Sequence, residues 1–137
     1  MKQVARHKAS LIITSHPMYL SMVRVFLEKI LKLIDLPTSI IEDLKSAVDE
    51  ACSNVIKYAY KNDYTKSIKI EVECTRNIVE VYIEDRGDAP IDKDFKGREL
   101  SDIRPGGLGM HFIRKAFDKV IFSRRGKVNK LKLVRRF

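Results

Sequence analysis

Two neighbouring segments that alternate apolar and polar residues restrict the fold more than any other feature of the sequence. Residues 66–74 (KSIKIEVEC) and 77–85 (NIVEVYIED) place apolar side chains at every second position along most of their length. Successive side chains of a strand point to opposite faces, so each segment predicts a strand with one buried face. The residues TRN between them predict a tight turn, and the pair predicts an antiparallel hairpin covered on one side.

Two amphipathic segments predict helices that provide this cover. Ser15 and Pro17 precede an apolar stripe that ends near residue 34, so Ser15 is the predicted N-cap of a first helix. A second helix is predicted from Thr38 or Ser39, with Glu42 as capping-box partner, to about residue 60. The predicted buried stripes are Leu20, Val23, Leu27, Ile30, Leu31 and Ile34 in the first helix and Ile40, Leu44, Ala47, Val48, Ala51, Val55 and Ala59 in the second.

The remaining segments complete a single predicted domain, residues 1–137, since no repeat or Gly/Ser-rich linker divides the chain. Residues 8–15 predict a first strand, residues 108–117 a third helix, and residues 119–124 and 129–137 a final hairpin. The order β-α-α-β-β-loop-α-β-β predicts an α+β two-layer sandwich, with a mixed, mostly antiparallel sheet and three helices on one face. The long predicted loop, residues 86–105, suggests a functional segment.

The composition limits the class of protein. Apolar residues make up 45% and charged residues 33% of the chain, which is typical of a globular protein. No apolar run approaches the ~20 residues that cross a bilayer, and the basic start lacks the apolar core of a signal peptide. We therefore expect a cytoplasmic protein with no membrane partner. Cys52 and Cys74 have no C-x-x-C spacing and are expected to be buried free thiols.

The net charge of +9 leaves the choice of partner open. The excess of Lys and Arg is concentrated toward the C-terminal end, in the final helix and hairpin. Such a surface could attract nucleic acid, an acidic protein or a polyphosphate, and it could equally be a solvated, lysine-rich surface.

Glu50 and Asn54 are the first candidates for chemistry. They lie four residues apart on the second predicted helix, hence on one face, and the apolar stripe flanks them closely. One interpretation is a pair of polar surface groups that hydrogen-bond to each other. In the other, the Asn54 oxygen helps to hold a hard cation such as Mg2+, and Glu50 orients or deprotonates a hydroxyl group.

Two glycine-containing turns are the next candidates. Asp85 ends a strand shortly before Gly87, and an aspartate there either forms a turn or accepts a hydrogen bond from an exocyclic amine such as that of adenine. Gly106, Gly107 and Gly109 lie where the third helix begins, and glycines let successive N–H groups approach an anion at that positive end. The alternative for these glycines is a flexible turn with a close helix–sheet contact.

The order of these elements resembles a known family. The stretches EACSN, EDRG and GGLGMHFI are similar to the N, G1 and G2 boxes of the GHKL ATPase superfamily, which includes gyrase and the histidine kinases. The short chain and the run DEACSNVIKYAY most resemble the anti-sigma-factor serine/threonine-protein kinases of bacterial partner-switching systems. The resemblance covers nearly the whole chain and implies the Bergerat ATP-binding fold.

The resemblance also implies a role for each candidate. Glu50 would be the general base on the substrate serine, and Asn54 would ligate the Mg2+ that bridges the ATP phosphates. Asp85 would bind the adenine amino group, Gly87 would shape the floor of the adenine site, and residues 86–105 would be the ATP lid. The other implied nucleotide-binding residues are Arg104, Gly106, Gly107, Leu108 and Gly109.

Three positions depart from the family pattern. Tyr58 stands where family members often have a histidine after the N box, and DRGDAP lacks the second glycine of the wider superfamily's pattern. Asn129 stands near the place where family members commonly have a threonine in the last strands. The resemblance implies an ATP-dependent serine/threonine kinase that sequesters a sigma factor, is switched by an antagonist protein and forms a homodimer. The alternatives are a non-catalytic ATP-dependent binding module and a nucleic-acid binder that uses the basic C-terminal hairpin.

Overall fold

A five-stranded sheet forms one layer of the structure, a computed structural model that describes residues 5–89 and 108–137. Its strands are β1 (His7–Thr14), β2 (Ser67–Thr75), β3 (Ile78–Asp85), β4 (Lys119–Arg125) and β5 (Val128–Arg136). They lie in the order β1-β2-β3-β5-β4, and each pairing between these described strands is antiparallel. The last strand along the chain, β5, is therefore inserted between β3 and β4.

The second layer consists of helices on one face of the sheet. In the described part of the chain they are α1 (Leu20–Lys32), α2 (Thr38–Asn54) and α3 (Leu108–Ala116). A short 3-10 turn precedes α1, and a π-helical turn, Val55–Ala59, extends α2. Within it the Tyr60 amide donates to the Val55 carbonyl at 2.9 Å, one residue farther back than in an α-helix. The predicted second helix therefore ends in a wider turn.

The hydrophobic core lies between the two layers and contains almost all of the predicted apolar stripes. Every second residue of β2 and β3 is buried, as the alternation predicts. The predicted stripe of α1 is buried throughout. This arrangement is the predicted α+β two-layer sandwich.

The start of α2 differs from its prediction in two ways. The residue at the N-cap is Pro37, and within residues 5–89 and 108–137 no side chain caps the helix. Glu42 pairs with Lys45 at 3.1 Å instead of closing a capping box. Ile41, which is 2% exposed, occupies the core position expected for Ile40, and Ile40 packs at the margin of the core. Ile40 and Ile41 both lie about one turn before Leu44, the next residue of the buried stripe. The helix is rotated so that Ile41 faces the core.

Ser15 does not cap the first helix, so that prediction is wrong. Its hydroxyl donates to the Asp63 carbonyl at 2.7 Å and accepts from the Lys66 amide at 3.1 Å. The group that accepts from the Met18 amide, at 3.0 Å, is His16 Nδ1. The Ser15 hydroxyl instead joins the end of β1 to the segment that leads into β2.

Two expectations from composition can be compared with the structure. Cys52 and Cys74 are free and buried, as expected, and burial raises the pKa of the Cys74 thiol to about 11. Among residues 5–89 and 108–137, no helix has both the length and the apolar character that a bilayer crossing requires.

Candidate functional site

A polar row crosses three strands at one end of the inner face of the sheet. Asn129 of β5 is the register partner of Asp85 in β3 and of Arg124 in β4. Residues two apart along a strand share a face, so this row continues the inward-facing positions of the core. The adjacent row consists of the core side chains Ile83, Leu131 and Phe122. The sheet therefore carries polar side chains where its apolar core ends.

Hydrogen bonds hold the buried carboxylate of Asp85 in this row. Asp85 is 4% exposed, and its Oδ1 accepts from the Gly87 amide and from Asn129 Nδ2, both at 2.8 Å. Asn129 Nδ2 also reaches the Gly87 carbonyl at 3.1 Å. Burying a carboxylate is costly unless hydrogen bonds compensate for the lost water. The network makes Asp85 a fixed acceptor at the end of β3.

Gly87, two residues after Asp85, packs against Ala59 at the end of the π-helical turn. A Cβ atom at residue 87 would lie 2.6 Å from the Ala59 carbonyl carbon and 2.8 Å from the Ala59 Cβ. The next amide, that of Asp88, donates to the Ala59 carbonyl at 2.8 Å. Only a residue without a side chain allows this approach, which is a packing reason for the glycine after β3.

The Tyr60 side chain, at the end of the π-helical turn, also holds the turn that follows Asp85. Its hydroxyl donates to the Ser67 carbonyl at 2.6 Å and accepts from the Arg86 amide at 2.9 Å. Burial of the ring raises the pKa of Tyr60, and the charge of Asp85 acts in the same direction. One hydroxyl therefore links the start of β2 to the residue that follows Asp85.

Asn54 is buried at the end of α2 with an incompletely satisfied amide. It is 6% exposed, and its Nδ2 lies 3.9 Å from Met110 Sδ, a weak acceptor. In the described part of the chain no donor reaches its Oδ1, and no hydrogen bond joins it to Glu50. The interpretation of Glu50 and Asn54 as a hydrogen-bonded surface pair therefore finds no support in this geometry. An orphaned amide oxygen is the kind of ligand that Mg2+ accepts.

Glu50 lies one turn earlier and is partly buried beside a cleft of about 450 Å³. The three helices contribute to this cleft, with Arg24 from α1, Asp49 from α2, and Phe112 and Lys115 from α3. Arg24 and Asp49 form an ion pair on its wall. The cleft borders Glu50, and its lining does not include Asn54 or Asp85.

The predicted phosphate-binding residues are only partly within the described chain. Leu108 and Gly109 are the first two residues of α3. Arg104, Gly106 and Gly107 lie outside the described residues, as does the predicted lid from residue 90 onward. The structure thus brings together Asp85 and Gly87, and it brings Asn54 into contact with α3 through Met110.

Sequence reasoning missed Arg124, Ala59 and Tyr60 as parts of the site. Arg124 Nη1 donates to Asn129 Oδ1 at 2.7 Å and to the Gly87 carbonyl at 3.1 Å. A signal for Arg124 was present, because the run RRGKVN predicts a two-residue hairpin turn that places it opposite Asn129. The structure confirms that register. The contacts of Ala59 and Tyr60 depend on the π-helical turn, for which we find no sequence signal.

The sequence matches a known protein family. Residues 13–135 match the family model described as the histidine kinase-like ATPase domain. A serine-protein kinase, RsbW, of Bacillus subtilis (strain 168) is 31% identical over 117 residues, covering 79% of this chain and 72% of that protein. The RsbW of Staphylococcus aureus (strain JH9) is 32% identical over 114 residues, covering 74% of this chain and 70% of that protein.

A solved structure has the same fold. The crystal structure of the RsbU and RsbW domains of a Mycobacterium tuberculosis protein superposes with a TM-score of 0.68 at 16% sequence identity. The match covers 95% of this chain and 32% of the solved chain, so this chain corresponds to about a third of that protein. At this level of identity the likeness concerns the fold, and it agrees with the predicted Bergerat architecture.

Proposed function

Because the chain belongs to the histidine kinase-like ATPase family, we propose that it is an ATP-dependent serine/threonine-protein kinase. Its substrate is a serine of an antagonist protein, and it also sequesters a sigma factor. The observation that carries the proposal is Asp85, a buried carboxylate fixed by the Gly87 amide and by Asn129 at the open end of the sheet. The relatives from Bacillus subtilis and Staphylococcus aureus are named serine-protein kinases.

Asp85 and Gly87 form the base-binding part of the proposed site. The Asp85 carboxylate accepts a hydrogen bond from the adenine amino group. Gly87 keeps the floor of the site flat, because it has no side chain and packs against Ala59. Asp85 and Asn129 are buried, so a single hydrogen bond to the base can be selective.

Asn54 is the proposed ligand of Mg2+. Its buried Oδ1 lacks a described donor, and a hard cation prefers such an oxygen together with phosphate oxygens and water. When bound, Mg2+ neutralises charge on the phosphate groups and so favours phosphoryl transfer. Asn54 would then orient the cation, since Met110 and the core around α2 fix the Asn54 side chain.

Glu50 is the proposed general base. The serine oxygen attacks the γ-phosphorus, the bond to the bridging oxygen breaks, ADP leaves, and Glu50 takes the proton of the serine hydroxyl. Its position beside an open cleft gives a protein substrate access to the carboxylate. The start of α3, with Leu108 and Gly109, is proposed to face the phosphates together with Arg104, Gly106 and Gly107.

A homodimer is proposed through the outer side of α1. Met22 and Val25 are each 56% exposed, Leu33 is 59% exposed, and their spacing places them opposite the buried stripe of the helix. The neighbouring β1 is an edge strand, paired in the described sheet with β2 alone.

We place the protein in the cytoplasm, where ATP is available and thiols such as Cys52 and Cys74 stay reduced.

The function is tested by isothermal titration with ATP in the presence and absence of Mg2+, for the wild type and Asn54→Ala. Binding that needs both Mg2+ and Asn54 is expected. Asn77→Ala, in the exposed turn between β2 and β3, is the matched control and should bind like the wild type. Absence of ATP binding by the wild type would contradict the proposal. Mg2+-dependent binding that is unchanged in Asn54→Ala would contradict the ligand assignment alone.

A further inference from the structure

We propose that Asn129 and Arg124 are positioning residues that hold Asp85 in place and thereby set the selectivity of the site for the base of the nucleotide. The inference rests on the proposed function, because it assumes that Asp85 receives the adenine amino group. It adds two residues of the C-terminal hairpin to the site.

The hydrogen bonds of Asn129 fix the orientation of its amide. Nδ2 faces three acceptors, Asp85 Oδ1 at 2.8 Å and the carbonyls of Gly87 at 3.1 Å and Asp88 at 3.4 Å. Its Oδ1 faces the Arg124 guanidinium at 2.7 Å. The reverse orientation would set an oxygen against these three acceptors and an amino group against a donor. Asn129 is 1% exposed, and its donors and acceptor are used within the protein. It therefore acts on the base through Asp85.

Arg124 completes the arrangement from the edge strand β4. The same Nη1 contacts Asn129 Oδ1 and, at 3.1 Å, the Gly87 carbonyl, so one guanidinium restrains both the amide and the turn after Asp85. The next residue, Arg125, is exposed and makes no such contact within the described chain. Arg124 and Arg125 are adjacent in the sequence but differ in exposure and in contacts, so a substitution of Arg125 is a matched control for the same substitution of Arg124.

The consequence concerns position 6 of the purine. A carboxylate in a fixed orientation favours the amino group of adenine, whereas a carboxylate free to turn loses much of this preference. Contacts to ribose and phosphates are shared by all purine nucleotides and do not depend on Asp85. Loss of Asn129 or Arg124 should therefore lower the preference for ATP more than it lowers the affinity for a nucleotide without the amine.

The test compares dissociation constants of ATP and purine riboside triphosphate, which lacks the 6-amino group, at saturating Mg2+. The wild type is expected to prefer ATP by roughly tenfold, the value of one hydrogen bond to a charged group. In Asn129→Ala and Arg124→Ala the preference should fall below about threefold. Arg124→Lys keeps one donor and should recover part of it, and Arg125→Ala should behave like the wild type.

Several outcomes would overturn the inference. It fails if Asn129→Ala and Arg124→Ala keep the wild-type preference and lose only thermal stability, or if Arg125→Ala matches Arg124→Ala. Arg124 is partly exposed, so its variants carry the test if Asn129→Ala does not fold. A wild type that binds neither nucleotide refutes the proposed function as well. A wild type that prefers ATP, beside variants with unchanged preference, refutes this inference alone.

Discussion

Gly87 and Ala59 meet backbone to backbone, and this contact joins the end of the second helix to the turn that follows Asp85. Ala59 lies at a helix end, where carbonyl groups lack intrahelical donors, and the Asp88 amide supplies one at 2.8 Å. A Cβ atom at residue 87 would lie 2.8 Å from the Ala59 Cβ, closer than packed atoms approach. The close approach of the turn after Asp85 to the helix end therefore requires that residue 87 has no side chain.

Gly87→Ala is expected to destabilise the protein and to weaken ATP binding together. The methyl group meets backbone atoms of Ala59, which cannot rotate away, so the cost should be about 1–3 kcal/mol. Urea unfolding and calorimetric titration with ATP measure the two effects. Gly126→Asn is the control, because Gly126 has a positive φ of 61° and no described atom lies within 4 Å of the position of a Cβ atom there. Asparagine tolerates that conformation. Unchanged stability and affinity in Gly87→Ala would contradict the packing argument.

Glu50→Gln is expected to abolish phosphoryl transfer while nucleotide binding persists. The amide cannot accept the serine proton, and loss of a general base typically costs about 100-fold or more in rate. The measurement pairs transfer of radiolabelled phosphate to the antagonist protein with titration by ATP. Glu42→Gln, an exposed position on the same helix, should retain both activities. Full transfer by Glu50→Gln would exclude the residue as the base, and retained binding without transfer in the wild type would favour a non-catalytic module.

Tyr60→Phe is expected to destabilise the protein by about 1–3 kcal/mol, since the Arg86 amide and the Ser67 carbonyl lose their partner. Burial raises the pKa of Tyr60 above its unfolded value of about 10. The contribution of the neutral hydroxyl is therefore complete below about pH 10 and is lost as pH rises through the folded pKa.

Urea unfolding of wild type and Tyr60→Phe at increasing pH checks this prediction. The difference in free energy of unfolding should be constant near neutral pH and should shrink above about pH 10. Tyr58→Phe changes an exposed ring in the same turn and should leave stability unaffected. A difference that does not change at alkaline pH would show that the Tyr60 hydroxyl ionises equally in both states.

Met22→Glu is expected to convert the proposed homodimer into a monomer. Its charge would fall within the exposed apolar side of α1, where burial against a second copy would be costly. Sedimentation velocity of the wild type and the variant gives the masses. Ser123→Glu adds the same charge on β4, at the opposite edge of the sheet, and should not change the mass. A monomeric wild type would remove the dimer from the proposal.

The fold could be predicted because periodicity determines most of it. The alternation in β2 and β3 and the three-to-four spacing in α1 each match the observed burial. The resemblance to the GHKL superfamily is confirmed by the family match. Helix caps were less predictable, because Ser15 finds hydrogen-bond partners in a segment some fifty residues away. Such tertiary partners leave no trace in the local pattern.

The main residues of the candidate site could be predicted, whereas the residues that hold them in position were less predictable. Asp85 and Asn54 stand in recognisable motifs, whereas the row through Asn129 and Arg124 exists only because β5 enters between β3 and β4. Strand order also accounts for two of the basic C-terminal residues. On the outer face Lys130 and Lys132 lie 3.9 Å and 3.4 Å from Glu84 and Glu80 of the adjacent strand. At these two lysines the pairing favours a solvated, partly neutralised surface over a nucleic-acid interface.

The insertion of β5 between β3 and β4 has a consequence for synthesis on the ribosome. Asn129 follows Asp85 by 44 residues, so the carboxylate emerges from the exit tunnel well before the amide that orients it. A nascent chain that ends within β4 can form the β2–β3 hairpin, but its Asp85 has no β5 neighbour. With the proposed role of Asp85, selective recognition of the nucleotide should therefore begin only after β5 has been translated and has entered the sheet.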